Sequence, residues 1–427
     1  MFESNDDWNV TYNMRKIFYI IFLLQAALLQ AQENDFRQYI GYLASDLLQG
    51  RLAGSSGDSL AAAYIRQELV SFGYQPLAEE GWQSFNYTIG RAVAEQSQQA
   101  GRKVYSRNVA MMLPAGEQSA TESIVVGAHF DHIGMGGKNS GSRKPDTSAV
   151  HYGADDNASG VAMAMAVAKE LAVQKNQLRR NIVVVMFGAE EQGLIGAKYF
   201  IEHPPVEIGK IVMMLNFDMV GRLDSTKLLQ IHGTKTFVEA EQLLNNTARR
   251  HDELRLQFSG GGYGPSDHLA FYAAKIPVLY FTTGIHYDYH TPEDNIAKIN
   301  FQGMAAIFPF AASIIRQIAE AEQAPTFQEA GGSELVRTHG AFKVTLGLVP
   351  DFNAIYEGPG MRADFITEGK PAHKAGLKNG DIILEINGTE IKNIDEYMKQ
   401  LATLEPGSAI NVKIKRGEQI LFFTVQL

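Results

Sequence analysis

The chain of 427 residues contains no cysteine, which excludes disulfides, thiolate nucleophiles and sulfur-held metal sites. Any zinc would have to be held by His, Asp and Glu, which suit open catalytic coordination. Basic residues are in the minority: 38 Lys and Arg stand against 47 Asp and Glu, a formal net charge of -9. Nucleic-acid binding needs a basic footprint that releases counterions, and no basic stripe is present. Long apolar runs are scarce as well. The stretch from Ile17 to Leu29 is short for a membrane span of roughly 20 residues. Arg15 and Lys16 precede it and Gln30, Ala31 and Gln32 follow, the layout of a secretory signal peptide cleaved near Ala31 or Gln32. The expectation is a periplasmic or secreted protein with no stable membrane span after cleavage. Residues 1 to 13 read as an upstream extension, with Met14 as an alternative start.

What is present is a folded composition, 45% hydrophobic and 20% charged, long enough for two or three domains. Four short apolar runs stand out: Ser123 to Ala128, Asn181 to Phe187, Lys210 to Phe217 and Ile276 to Phe281. Continuous β-branched and aliphatic stretches of this length predict strands covered on both faces, as in a largely parallel sheet. A further strand is expected from Asn108 to Leu113, with the polar stretch Ala92 to Lys103 as a surface loop before it. Helical patterning covers Asn34 to Gly73, with Ser59 as a cap and Gly73 at the C′ position. It recurs at Ala158 to Val173, Leu194 to Glu202, Phe237 to Arg249, Asp267 to Lys275 and Phe301 to Ala321. The alternation predicts an α/β fold, a mixed and largely parallel sheet with helices on both faces. Around Ala324 to Ser333 the pattern changes to short strands separated by glycines. The expected organisation is a leader at 1–32, an α/β domain at 33–323, a linker at 324–339 and a small α+β domain at 340–427.

The potential metal ligands follow those runs. His129, Asp156, Glu190, Glu191, Asp218 and His290 lie mostly just past a predicted strand. Open α/β sheets collect their ligands outside the carboxyl ends of the strands, so these residues are expected to converge. In His129-Phe130-Asp131 the carboxylate is near enough to hold the second ring nitrogen of the imidazole. Gly153 to Gly160 (GADDNASG) is a tight acidic turn entering an alanine-rich helix, either a helix cap or a carboxylate between two cations. Glu190 and Glu191 follow a buried strand, where unpaired charge is costly and a cation is expected. Adjacent side chains diverge, so one can bind metal while the other faces the attacking water.

The segments HFD at 129–131, GADDNASG at 153–160, AEEQGLIG at 189–196, FDM at 217–219 and YHTPED at 289–294 resemble the M28 family of co-catalytic zinc aminopeptidases. The resemblance spans roughly residues 34 to 321 with every motif in family order. It implies two Zn2+ ions, one on His129 and Asp218 and the other on Glu191 and His290, bridged by Asp156. It further implies that Asp131 orients His129, that Glu190 is the general base acting on a metal-bridged water, and that a cis peptide follows Asp156. Tyr289 matches a tyrosine that donates to the oxyanion in some members, with plain packing as the alternative. Ser266-Asp267-His268 resembles a family segment in which Asp267 lies near the site and His268 is structural. His132, His151, His203, His232 and His286 read as ordinary polar residues. Peptides with a free amino terminus are the implied substrates. The alternatives are a glutaminyl-cyclase-like single-zinc enzyme, a carboxypeptidase-type relative on the same fold, and a non-catalytic peptide-binding protein.

The run Pro371 to Gly388 within Gly358 to Leu427 resembles the PDZ domain of bacterial envelope proteases. The resemblance implies an extended peptide or a chain carboxyl end bound by strand addition, with Leu346-Gly347-Leu348 as a loose match to the carboxylate loop. The alternative is a domain that packs without binding.

Overall fold

The apolar runs become the middle of a twisted sheet. The computed structural model describes residues 30–88, 103–117, 120–138, 140–330, 344–350, 358–366 and 369–427. Nine strands form the larger sheet: β1 (Gln75–Pro76), β2 (Trp82–Thr88), β3 (Lys103–Leu113), β4 (Ser123–His129), β5 (Asn181–Phe187), β6 (Ile211–Phe217), β7 (Leu228–His232), β8 (Arg255–Phe258) and β9 (Val278–Thr282). Their order is β1-β3-β5-β4-β6-β9-β7-β8, with β2 also on β3. The central strands β5, β4, β6 and β9 are mutually parallel, while β3 and β7 run antiparallel to their neighbours β5 and β9. The mixed, largely parallel sheet expected from the sequence is therefore present. Its register aligns the strand ends: His129 pairs with Phe187 and Phe217 with Phe281. Residues that follow these positions start from one edge.

Alternation along each strand divides two cores. Ile124, Val126 and Ala128 face one layer together with Ile182, Val184 and Met186. Val125, Val183, Val185 and Phe187 face the other, against Phe200 and Phe271. The first layer is covered by the helices Gly160–Val173 and Phe301–Glu320, the second by Ile195–Glu202 and His268–Ala273. The helix Gly160–Val173 is apolar nearly all round, as a helix buried between a sheet and another helix must be.

The amino-terminal helical region differs from its expectation. It is split into a helix over residues 30–43 and a second one, Ser56–Ser71. Ser55, not Ser59, caps the second helix, its hydroxyl accepting from the Asp58 amide at 3.1 Å. Ser59 instead donates back to the Ser55 carbonyl. Gln49, Gly50 and Arg51 between the helices all have positive φ, which breaks the helical path and turns Arg51 inward. Gly73 follows the second helix at φ +93. Most of the expected loop Ala92 to Lys103 lies outside the described residues, as does the expected leader up to residue 29.

The carboxy-terminal module has its own antiparallel sheet, β10 (Leu348–Pro350), β11 (Met361–Ile366), β12 (Ile382–Ile386), β13 (Thr389–Glu390), β14 (Ala409–Arg416) and β15 (Gln419–Gln426). Ile383, Ile386, Ile410, Val412 and Ile414 pack there with Tyr397 of the helix Ile394–Ala402. Within the candidate carboxylate loop, Leu346 is buried in this core and its carbonyl accepts from the Ala372 amide. Among the described residues, no helix is long and apolar enough to cross a membrane.

Candidate metal centre

Two groups of donor atoms meet at the carboxyl end of the sheet. His129 Nε2 lies 3.3 Å from Asp156 Oδ1 and 3.5 Å from Asp218 Oδ1. On the other side, His290 Nε2 lies 3.0 Å from Asp156 Oδ2 and 3.1 Å from Glu191 Oε2. Two donors on one tetrahedral zinc with bonds of about 2.0–2.1 Å stand about 3.3 Å apart, so both groups have the spacing that a shared cation imposes. Asp156 turns one oxygen to each. His290 Nε2 and Asp218 Oδ1 are buried without hydrogen-bond partners among the described residues, as expected of atoms whose partner is an ion.

The electrostatics call for positive charge in the same place. Burial works against a charged His129, yet Asp218, Glu190 and Asp156 hold its protonation well above the ordinary imidazole range. His290 behaves likewise through Glu191 and Asp156. Burial would raise Glu191, but the facing His290, with His132, holds it down at about 2. These imidazoles retain a proton because the carboxylates require a counter-charge; a divalent cation would supply it without a proton. The residues fit a pair of zinc ions.

The acidic turn is positioned from three directions. Asp294 accepts from the amides of Asp155 and Asp156. Asn157 donates to the Phe217 carbonyl at the end of β6 and accepts from the Met219 amide. Asp155 is spent on the scaffold, its Oδ1 accepting from Ser159 Oγ and the Gly221 amide. That leaves Asp156 free to face the imidazoles. The peptide between Asp156 and Asn157 is cis. Gly160 is required because a Cβ there would meet the Phe217 carbonyl oxygen at 2.3 Å.

Each of the two ligand imidazoles expected from the sequence has its second nitrogen on a carbonyl: His129 Nδ1 on Asp131 O at 3.2 Å, and His290 Nδ1 on Gly141 O at 3.1 Å. Such contacts fix the tautomer that points Nε2 inward. The Asp131 carboxylate is farther from His129, at 3.8 Å, and instead accepts from the amides of Glu190 and Glu191. Its main hold is therefore on the loop carrying the two glutamates. Burial first, then Asp267, Glu191 and Asp218, pushes the Glu190 carboxyl well above its usual range, opposed by His129. Tyr289 stacks on His290, with centroids 3.9 Å apart. Burial and the carboxylates around it keep its phenol protonated far above the usual range.

Three features of the site were not read from the sequence. His132 enters the second donor group, its Nδ1 2.8 Å from Glu191 Oε1. The signal was a second histidine three residues after His129. His286 meets Asp155 at 3.1 Å and so belongs to the scaffold of the acidic turn. Arg51, fully buried, donates to the carbonyls of Leu43, Phe130, Tyr152 and Gly153 and ties the His129 loop to that turn. His268 stacks on Tyr280 inside the second layer, and Asp267 beside it is buried without a hydrogen-bond partner among the described residues.

The sheet order and the donor set define a class: a mixed α/β domain with a carboxylate-rich candidate metal site at its strand ends. The model of peptidase family M28 matches residues 108–315 of the chain, and that of a PDZ domain matches 355–427. It is 26% identical over 184 residues to an aminopeptidase of Bacillus subtilis, an alignment covering 40% of this chain and 39% of that protein. The chain thus spans under half the length of that relative. A solved aminopeptidase of Legionella pneumophila shares the fold at 20% identity and a TM-score of 0.52, over 70% of this chain and 74% of that one. A glutaminyl cyclase of Porphyromonas gingivalis is equally similar, at 19% identity and 0.53, over 67% of this chain and 98% of the other. The fold is common to both chemistries.

Proposed function

We propose that the protein is a zinc-dependent aminopeptidase that removes the amino-terminal residue of peptides. His129 and Asp218 would hold one ion, Glu191 and His290 the other, and Asp156 would stand between them. The observation that carries this reading is Asp156, whose two oxygens face two separate donor groups. A single-ion cyclase would leave one of those groups without use. When bound, a zinc pair supplies a more acidic water and a polarised carbonyl.

The remaining work falls to side chains. Glu190 accepts the water proton and later delivers it to the leaving amine, a role for which a carboxyl raised by burial is suited. Neighbouring cations would favour its ionised form and so oppose that rise. Asp131 keeps Glu190 in place through its backbone amide. Tyr289, kept protonated, donates to the oxygen that gains charge. Glu190 and Asp218 are acidic partners for the free α-amine of the substrate. The PDZ domain would take an extended chain or chain end, and export to the periplasm or beyond is supported by the charged-then-apolar order of residues 15–32.

The test compares release of the first residue from free and amino-acetylated peptides, with chelation and zinc add-back, for wild type and Glu190→Gln. Glu190→Gln should lose about 10²–10⁴ in kcat while its zinc content stays unchanged. Comparable cleavage of blocked peptides would reject the aminopeptidase assignment, and indifference to chelation would reject the metal. Cyclisation of amino-terminal glutamine with one zinc per chain would favour the cyclase chemistry.

A further inference from the structure

We propose that His132 is a sixth protein ligand of the metal centre, making the two cation positions unequal: four protein donors hold one, and three hold the other. This rests on the two-zinc reading above. His132 leaves the end of β4 three residues after His129, and its ring is completely buried. Its Nδ1 lies 2.8 Å from Glu191 Oε1 and 3.7 Å from Asp156 Oδ2, both within the second donor group. With His290 at 3.0 and 3.1 Å from the same carboxylates, the four residues surround one point at separations that bracket the tetrahedral edge of about 3.3 Å. The two imidazole planes cross at 76° with centroids 5.5 Å apart, which separates the rings while both edges face the carboxylates.

Among the described residues, the polar contacts of the His132 ring are to the Glu191 and Asp156 carboxylates, and Nε2 has no hydrogen-bond partner. The backbone makes room for it. Gly153 has φ +55, and a Cβ there would come within 2.6 Å of His132 Cγ. The His132 amide is fixed on the Arg51 carbonyl at 3.2 Å.

The consequence is an order of loading. Zinc favours four donors, so His132, Asp156, Glu191 and His290 close the position that the first ion fills. His129, Asp156 and Asp218 leave the other with an open coordination place, which is the position that water or substrate can share. The five-ligand reading, with two private donors and one shared carboxylate per ion, predicts no such difference.

The test titrates zinc into metal-free full-length protein against a competing chelator, for wild type and His132→Asn, and measures X-ray absorption at one equivalent. Asparagine can reproduce the hydrogen bond to Glu191 from the Nδ1 position but not the imidazole donor. The wild type should bind two ions with resolved affinities and show two imidazoles around the first. In His132→Asn the tighter affinity should fall by more than about 100-fold, the upper range for a residue that only orients a ligand, and one imidazole should vanish. Wild-type affinity in the variant, or an unchanged imidazole count, would overturn the assignment. Should His132→Asn not fold, His132→Gln gives the same readout. A wild type that takes up no zinc would overturn the two-zinc reading itself, and with it this assignment.

Discussion

Replacing Arg51 by methionine should cost the α/β domain at least about 3 kcal/mol, because the carbonyls of Leu43, Phe130 and Tyr152 lose their donor together, while Gly153 O keeps the Ala158 amide. Arg51 Nε donates to Phe130 O at 2.7 Å, Nη1 to Leu43 O at 2.6 Å and Tyr152 O at 2.7 Å, and Nη2 to Gly153 O at 3.0 Å. Each buried acceptor left unpaired costs about 1–3 kcal/mol, and shared relaxation keeps the total near the low end of their sum. Burial lowers the guanidinium to about 10, against the opposing pull of Asp156, Asp131, Asp294 and Glu191, so it stays charged at neutral pH. The loss therefore includes a fixed positive charge beside the carboxylates. A domain is stable by about 5–15 kcal/mol, so a loss of this size removes between about a fifth and three fifths of that margin. Arg51→Lys keeps the charge but not the fork that reaches carbonyls on both sides, and with one of the three left unpaired it should lose about 1–3 kcal/mol. The assay is urea unfolding of metal-free protein truncated to residues 33–427, followed by the fluorescence of Trp82. The other tryptophan, Trp8, is removed with those residues, so the signal reports the α/β domain and not the PDZ module. A loss below about 1 kcal/mol for Arg51→Met would refute the claim that these four bonds hold the loops of the metal centre together.

Gly153→Ala places a Cβ 2.2 Å from the Asp156 carbonyl oxygen in a left-handed conformation, and should weaken zinc binding at both positions, as read by chelator competition. Tyr289→Phe retains the stack on His290 and should lower kcat by up to about 10²–10³ with little change in KM; unchanged kcat would show that the ring only packs. The Asp58 carboxyl is pushed up to about 7 by burial, against the Gly54 amide, Arg107 and Ser106. The folded chain keeps that proton across a window from about 4 to 7 in which the unfolded chain has lost it, so the stability associated with it falls as pH rises, by up to about 1.4 kcal/mol per unit. Asp58→Asn should flatten this slope in urea midpoints measured at pH 5 and 8.

Much of the fold was legible because its signals are local. The run Asn181 to Phe187 matched its strand end for end, since a central parallel strand buried on both faces must be apolar throughout. The helix Phe301–Glu320 ended one residue before its expected limit. The amino-terminal region failed for an equally physical reason. Helical periodicity runs through Gln49 to Arg51, and the break there exists to turn Arg51 into contact with carbonyls as far away in sequence as Gly153. Nothing local announces that contact. The same holds for the hydrogen bonds of Asp131, whose position suggested His129 but whose carboxylate accepts from amides at 190 and 191.

By itself the sequence determined which donors exist and where each leaves the sheet: His129 at the end of β4, Glu190 and Glu191 after β5, Asp218 after β6. Residue chemistry and strand periodicity are properties of short segments and survive without the rest of the molecule. The tertiary structure alone decided that β3 and β7 would run against their neighbours, that Asp156 would turn an oxygen to each side, and that His132 would join Glu191 and His290. Those outcomes depend on strand order and on turns held by distant groups such as Asp294, Asn157 and Arg51, and distances between segments are fixed only when the chain packs.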